Sequence, residues 1–176
     1  TNLQIGVGGV LDLAGQAQVN GDVSASSVSG TADAASGADA DYSTGPIENN
    51  DSDASTISGL NTVDIDVASD ASVLGTAIGS FTTTAESTDS AATAEADQDV
   101  YGIQDMDISV GGVGSIAAIA QDSNFVEASS VMGDASATAT VDAIGLDGGD
   151  ISISSDAVLT SSVSVDSAAD SSTVGA

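Results

Sequence analysis

"GLDGGDISI", residues Gly145 to Ile153, is one of three gap-free copies of a nonapeptide whose spacing indicates the architecture of the chain. The others are "GIQDMDISV", which begins at Gly102, and "GLNTVDIDV", which begins at Gly59, so consecutive copies lie 43 residues apart. A shorter copy, "LQIGV", begins at Leu3, 60 residues before its counterpart. A fixed period of about 20 to 50 residues is typical of solenoids and other repeat arrays.

Apolar residues elsewhere in the unit keep the same register. One set consists of Leu13, Val73, Ile116 and Leu159, and another of Ala32, Ala92 and Ala135. Within each unit the apolar positions are mostly two residues apart, which is the period of a β-strand with one face inward. Since one coil cannot bury its apolar face alone, the repeats are expected to stack around a shared core.

The unit also resembles itself at half its length. "DISVGGVGSIAAIAQD", starting at Asp107, overlays "ASSVMGDASATATVDA", starting at Ala128, at an offset of 21 residues. We therefore predict an all-β chain: a parallel β-solenoid (β-helix) of about eight coils of 21–22 residues, arranged as 43-residue repeats. A β-sandwich of antiparallel strands is the alternative.

The whole chain, 1–176, is expected to form a single repeat domain. The first repeat holds about 17 extra residues, and these are assigned to an acidic loop insert at about 39–55. That segment contains the only proline and a dense group of acidic residues, both typical of a loop leaving a regular array.

Composition excludes several functions. The chain has 27 Asp and Glu, no Lys, Arg or His, and a formal charge of −27. Nucleic acid and anionic membranes need cationic side chains, so neither is expected as a partner, and no apolar run is long enough for membrane insertion. Cys and His nucleophiles are absent, and so are the cationic residues that solenoid enzymes use on acidic sugars, so we do not expect an enzyme. Threonine ladders of the ice-binding type are also not expected, because Glu95 and Asp97 replace Thr138 and Thr140 one repeat earlier.

Carboxylates and hard cations remain as the available site chemistry. Asp64, Asp107 and Asp150 share one position of the repeat, where the first copy has Gln4. If this position lies on one face, the three aspartates form a candidate calcium site, and the alternative is a solvated acidic face. "GLDGGDISI" only partly resembles the calcium loops of the repeats-in-toxin family, which recur every nine residues and carry a further glycine.

Both ends of the chain lack a recognisable cap. Strand pattern begins at Leu3, and the sequence stops at Ala176 partway through a fourth unit. Such ends are expected either to cut through a longer array or to be covered by another subunit. A head-to-tail contact between identical chains propagates into a filament.

"ASSVMGDASATAT" together with "GLDGGDISI" resembles the Ala/Ser/Thr/Gly-rich, Lys/Arg-poor repeat proteins that bacteria export, notably marine picocyanobacteria. The resemblance implies an extracellular or cell-surface location and a fibre, sheath or adhesive stalk, and it supplies no catalytic residue. We therefore expect a structural subunit of an extracellular filament or surface layer, whose partner is itself through head-to-tail stacking. The alternative is an acidic adhesin or surface-binding segment stabilised by calcium, with divalent cations as partners.

Overall fold

The computed structural model describes residues 3–36 and 55–175, which form twelve β-strands. All paired strands are parallel and lie in three sheets. The short sheet contains β1 (Leu3–Val7), β5 (Val63–Val67), β8 (Asp107–Val110) and β11 (Ile151–Ile153). The long sheet contains β2 (Leu11–Ser27), β6 (Ala71–Ser87), β9 (Gly114–Ser130) and β12 (Ala157–Thr173). The return sheet contains β3 (Ala32–Ser36), β4 (Ser55–Asn61), β7 (Ala92–Gln104) and β10 (Ala135–Asp147).

The chain visits the short, long and return sheets in turn and then repeats the circuit, which is the arrangement of a β-solenoid. Backbone pairing joins residues 43 apart in the later repeats, as in Ile108 beside Ile65, and 60 apart between the first two, as in Val73 beside Leu13. One coil is therefore a whole 43-residue repeat. The prediction of about eight coils of 21–22 residues is wrong, because no described strand pairs at that offset; the described strands make four levels.

The register also locates the extra residues of the first repeat. β3 and β4 lie end to end beside the single strand β7: Ser36 pairs with Ala96, and Ser55 pairs with Gln98. The two described residues on either side of the extra segment, Ser36 and Ser55, therefore lie beside positions only two residues apart on β7. The predicted insert at about 39–55 lies, apart from Ser55, outside the described residues.

Side chains alternate between the interior and solvent along every long strand of the two middle coils. The inward side chains form three clusters in sequence along the coil. The first is rich in branched residues such as Ile65, Ile103 and Ile108, and the second is centred on Ile57 and Val100. The third consists mainly of alanine, with Ala92 paired to Ala32 and Ala135, as the repeat alignment predicts. Small side chains hold the long and return sheets close together there.

A row of glycines brings these two sheets into backbone contact. Gly59, Gly102 and Gly145 occupy equivalent positions of the return sheet. A β-carbon on Gly102 would lie 2.5 Å from the backbone nitrogen of Ile119 in the long sheet and 2.6 Å from the carbonyl oxygen of Gly145. The first glycine of the nonapeptide is therefore a close-approach residue inside a strand, and not part of a turn.

The turn of the nonapeptide follows three residues later. Thr62, Asp105 and Gly148 occupy equivalent positions and have φ angles of 53°, 49° and 67°. The left-handed region is strained for residues with a β-carbon, especially β-branched ones, whereas glycine enters it freely. Ile151 and Ile153 then pack partly buried against the first cluster, and Asp150 is exposed, as expected from the sequence.

Replacing Thr62 by glycine is expected to raise the free energy of unfolding by about 0.5–1 kcal/mol, because the relief of left-handed strain exceeds the entropic cost of glycine. Chemical denaturation at fixed salt measures this. The control is Thr93→Gly, which places the same change in the extended strand β7 and should destabilise. Equal destabilisation by the two variants would contradict the assignment of the turn.

Candidate functional site

The predicted calcium ligands form one row beside the short sheet. Asp64 pairs directly with Asp107, and the backbone N–H of Asp150 donates to Oδ1 of Asp107 at 3.0 Å. All three aspartates are exposed. In the first coil the row continues with Gln4, whose Nε2 donates to Oδ2 of Asp64 at 3.1 Å. The structure thus stacks the three residues along the coil axis.

Two oxygens of this row already accept hydrogen bonds within the chain, from Gln4 and from Asp150. Over residues 3–36 and 55–175, no three or more His, Cys, Asp or Glu side chains are grouped closely enough to hold a metal ion. Calcium binding by Asp64, Asp107 and Asp150 therefore stays a prediction.

A second acidic row covers the outer face of the return sheet. Asp99 on β7 pairs with Asp142 on β10. Burial raises the pKa of Asp99, and the neighbouring charges of Asp142 and Asp97 raise it further. In-register stacking therefore crowds like charges, and salt is expected to relieve this repulsion.

The two ends of the stack present unpaired strand edges. β2 pairs only with β6, and β12 pairs only with β9, so each of these 17-residue strands has one free edge among the described residues. At the end formed by β12, the described strands of the return sheet end with β10, which lies beside β9 and β12, and no described return-sheet strand follows it. The inward side chains Leu159, Val163 and Val165 are consequently 57%, 48% and 47% exposed. Their equivalents one coil earlier, such as Ile116 and Ala120, are buried.

The interior contains a polar layer that the sequence analysis missed. Asp122 and Asn124 on β9 and Gln98 on β7 point inward, with relative exposures of 4%, 2% and 0%. Both polar atoms of each of these three side chains lack a hydrogen-bond partner. The layer lies between the second and third clusters, and next to it the hydroxyls of Ser36 and Thr83 share a buried hydrogen bond of 2.8 Å.

The inward direction of Asp122 was available from the sequence, since it is an even number of residues from Ile116 and Val126 on one strand. Burial raises its pKa from the ordinary value of 3.8 to about 6. Folding therefore favours the protonated carboxyl, so the ionised form is a destabilising feature of the interior unless something compensates its charge.

No protein-family model, curated protein or solved structure matches this chain. The part of the chain that the structure describes has no helix long and apolar enough to cross a membrane. The acidic rows, the free edges and the polar layer are the features of the described residues that bear on function.

Replacing Asp107 by asparagine is expected to raise the melting temperature by about 1–2 °C in low salt without calcium, because repulsion from Asp64 is removed while the Oδ1 acceptor for Asp150 is kept. The gain should vanish at about 0.5 M salt. Thermal unfolding with and without calcium measures both effects. If calcium bridges the row, the wild type gains stability on adding calcium and D107N does not; equal responses would rule the bridge out.

The raised pKa of Asp122 predicts that the free energy of unfolding depends on pH. Because the folded protein holds this proton more tightly than the unfolded chain, the contribution of Asp122 to the free energy of unfolding falls as pH rises from about 4 to about 6 and is lowest above pH 6. Asp122→Asn should remove this component, which amounts to about 1–3 kcal/mol. Denaturation across this range measures it, at a constant ionic strength set with tetramethylammonium chloride so that no small cation offsets the charge of the ionised carboxylate. The control Glu127→Gln removes a charge from the outward face of the same strand and should keep the wild-type slope.

Proposed function

We propose that this chain is a structural subunit of an extracellular filament or cell-surface layer, which assembles by head-to-tail stacking of its open ends. The observation that carries the proposal is the match between those ends. β12 at one end and β2 at the other are both 17 residues long, belong to the same parallel sheet and are both unpaired on their outer edges. A parallel edge is a template for another strand of the same kind.

The internal register can be continued across such a seam. Within the chain, Leu11, Ala71, Gly114 and Ala157 occupy one position of successive coils. Setting Ala157 beside Leu11 of the next copy continues this row, and it sets Ile151 beside Ile5 of that copy. Leu159 and Val165 then meet Leu13 and Val19 across the seam, and the exposed side chains of Leu159 and Val163 are covered. Three inward serines of β12 meet only glycine or alanine.

Charges also fit this register. The acidic residues of the two edge strands, which are Asp12, Asp22, Asp166 and Asp170, would face Val158, Ala168, Asn20 and Ser24. No carboxylate of these strands faces another across the seam. Asp150 would meet Gln4 of the next copy, whose equivalent contact inside the chain is the hydrogen bond from Gln4 to Asp64. The one amide in the aspartate row therefore lies at the seam.

The shape of the molecule favours contact through its ends. Four levels at about 4.8 Å spacing are only about 14 Å high, whereas a 17-residue strand is about 56 Å long. The end faces are therefore broad. At the β12 end, a cavity of about 120 Å³ opens beside Ile116, Leu146 and Leu159. Among the described residues the short and long sheets have a strand at this level, and these two sheets would make the seam.

Composition supports the location outside the cell. The absence of Lys and Arg leaves trypsin-like proteases no site to cleave, and 27 carboxylates discourage sideways association at low salt. The second candidate is a calcium-stabilised acidic adhesin segment. It is favoured by the stacked pair Asp64 and Asp107, and the calcium comparison with D107N tests it.

Assembly is tested on the purified chain by negative-stain microscopy and light scattering over a range of protein and salt concentrations. We expect filaments about as wide as one long-sheet strand is long, which is about 56 Å. They should appear above a critical protein concentration, and this concentration should fall as salt is added. A protein that stays monomeric under all of these conditions would overturn the proposal.

The seam register has its own test at Val158, which would face Asp12 of the next copy. Val158→Lys is expected to lower the critical concentration about threefold, and Val158→Asp to raise it by a similar factor, because a cross-strand charge pair contributes roughly 0.2–1 kcal/mol. The matched controls are Thr160→Lys and Thr160→Asp, since Thr160 lies on the same face of β12 but would face Ala14. Equal effects at the two positions would refute this register.

A further inference from the structure

The polar layer of Gln98, Asp122 and Asn124 lies deep in the two middle coils. The three side chains together bury six polar atoms that have no hydrogen-bond partner in the protein. Fully buried polar groups are normally paired, because each unpaired group costs about 1–3 kcal/mol. Four of the six atoms are oxygens, so a component from outside the chain that binds to oxygen would offset most of this cost.

Two oxygens of this layer, one from Asp122 and one from Gln98, lie at the edge of one gap. Gly79 on β6 is the partner of Asp122 on β9. A β-carbon on Gly79 would lie 2.5 Å from Oδ1 of Asp122 and 3.4 Å from Oε1 of Gln98. The opposite wall of the gap is apolar, with Cδ1 of Ile57 3.2 Å from the same point. The absence of a side chain at position 79 therefore leaves a small space with two oxygen atoms at its edge.

The chain itself cannot neutralise Asp122, because it contains no Lys, Arg or His. An uncompensated buried carboxylate is strongly unfavourable, and buried charges in proteins are paired or bound to metals. The inward residues next to the layer, which include Ala96, Val100 and Thr83, carry no second titratable group. A water molecule could supply hydrogen bonds, but it would leave the negative charge in place.

We propose that Asp122, together with the amide oxygen of Gln98, binds a single desolvated alkali cation in the gap beside Gly79. Carboxylate and amide oxygens are the donors that hard cations prefer. One carboxylate with a neutral amide balances one positive charge, so a monovalent ion leaves the interior neutral, whereas a divalent ion would leave a positive charge buried. The cation takes the place that an arginine or lysine would fill in a chain of ordinary composition.

The probe is sodium. Thermal unfolding at pH 7.5 is compared in sodium chloride and in tetramethylammonium chloride at equal ionic strength, which keeps screening constant. A sodium concentration about ten times the dissociation constant should raise the melting temperature of the wild type by about 4 °C. Glu127→Gln should show the same rise. Asp122→Asn should show less than about 1 °C, because an asparagine cannot balance the charge.

Two further measurements separate this site from loose binding to the acidic surface. Sodium-23 NMR relaxation should detect an immobilised ion in the wild type and in E127Q, but not in D122N. Gly79→Ala fills the gap while keeping the carboxylate, so the sodium-dependent rise should disappear there too. If Gly79→Ala does not fold, D122N alone decides.

The proposal is overturned if sodium does not stabilise the wild type relative to tetramethylammonium, or if D122N responds as the wild type does. It is also overturned if calcium gives a rise that depends on Asp122 and sodium gives none. The ligand residues belong to β7 and β9, away from the free edges of β2 and β12, so the result does not depend on filament assembly.

Discussion

Parallel backbone pairing between residues 43 apart is the constraint on which the rest of the structure depends. It sets every side chain directly beside its equivalent in the next coil. For apolar residues this is favourable, because side chains of the same size and shape stack on one another, as Ile65 does on Ile108 and Ala92 on Ala135. The same geometry stacks like charges, so a carboxylate repeated at one position acquires a carboxylate neighbour at about 4.8 Å strand spacing.

The carboxylates differ in their stacking between the outward and the inward faces of the strands. Asp64 and Asp107 stack outward, where water and salt reduce their repulsion. Asp122 is inward, but its partners in the adjoining coils are Gly79 and Val165, so no second charge is stacked on it. A solenoid can therefore tolerate one buried carboxylate in a single coil, whereas a buried carboxylate repeated in every coil would add one desolvation cost per level.

Much of the fold was predictable because the repeat can be recognised in the amino-acid sequence. Strand class, parallel pairing and the partners of Leu13 and Ala92 follow from apolar residues that recur at one offset. The coil length was not predicted, because Val110-x-Gly112 and Val131-x-Gly133 look like equivalent halves. In the structure both segments are corners: one joins β8 to β9 and the other joins β9 to β10. Turn chemistry repeats wherever the chain turns, so it does not distinguish a corner from a complete coil.

The candidate sites were predicted less completely, because only some of their residues repeat from coil to coil. The row of Asp64, Asp107 and Asp150 was visible because the same letter repeats. Asp122, Asn124 and Gln98 occur in one coil each and come from two facing sheets, which are in close contact at the glycine row that includes Gly102. A site built from non-repeated residues across a thin interior leaves no periodic signal in the sequence.

In-register stacking of charged residues also affects the conditions under which the proposed filament would grow. In the proposed filament, each added subunit would repeat the outward carboxylate rows, so repulsion would accumulate along the axis, whereas backbone pairing at each seam would contribute the same amount every time. Gln4 would reduce this repulsion at one place only, where Asp150 would otherwise meet a carboxylate of the next copy. Assembly is thus expected to depend on ionic strength more than on any single contact, because salt acts on every row and a substitution acts on one seam.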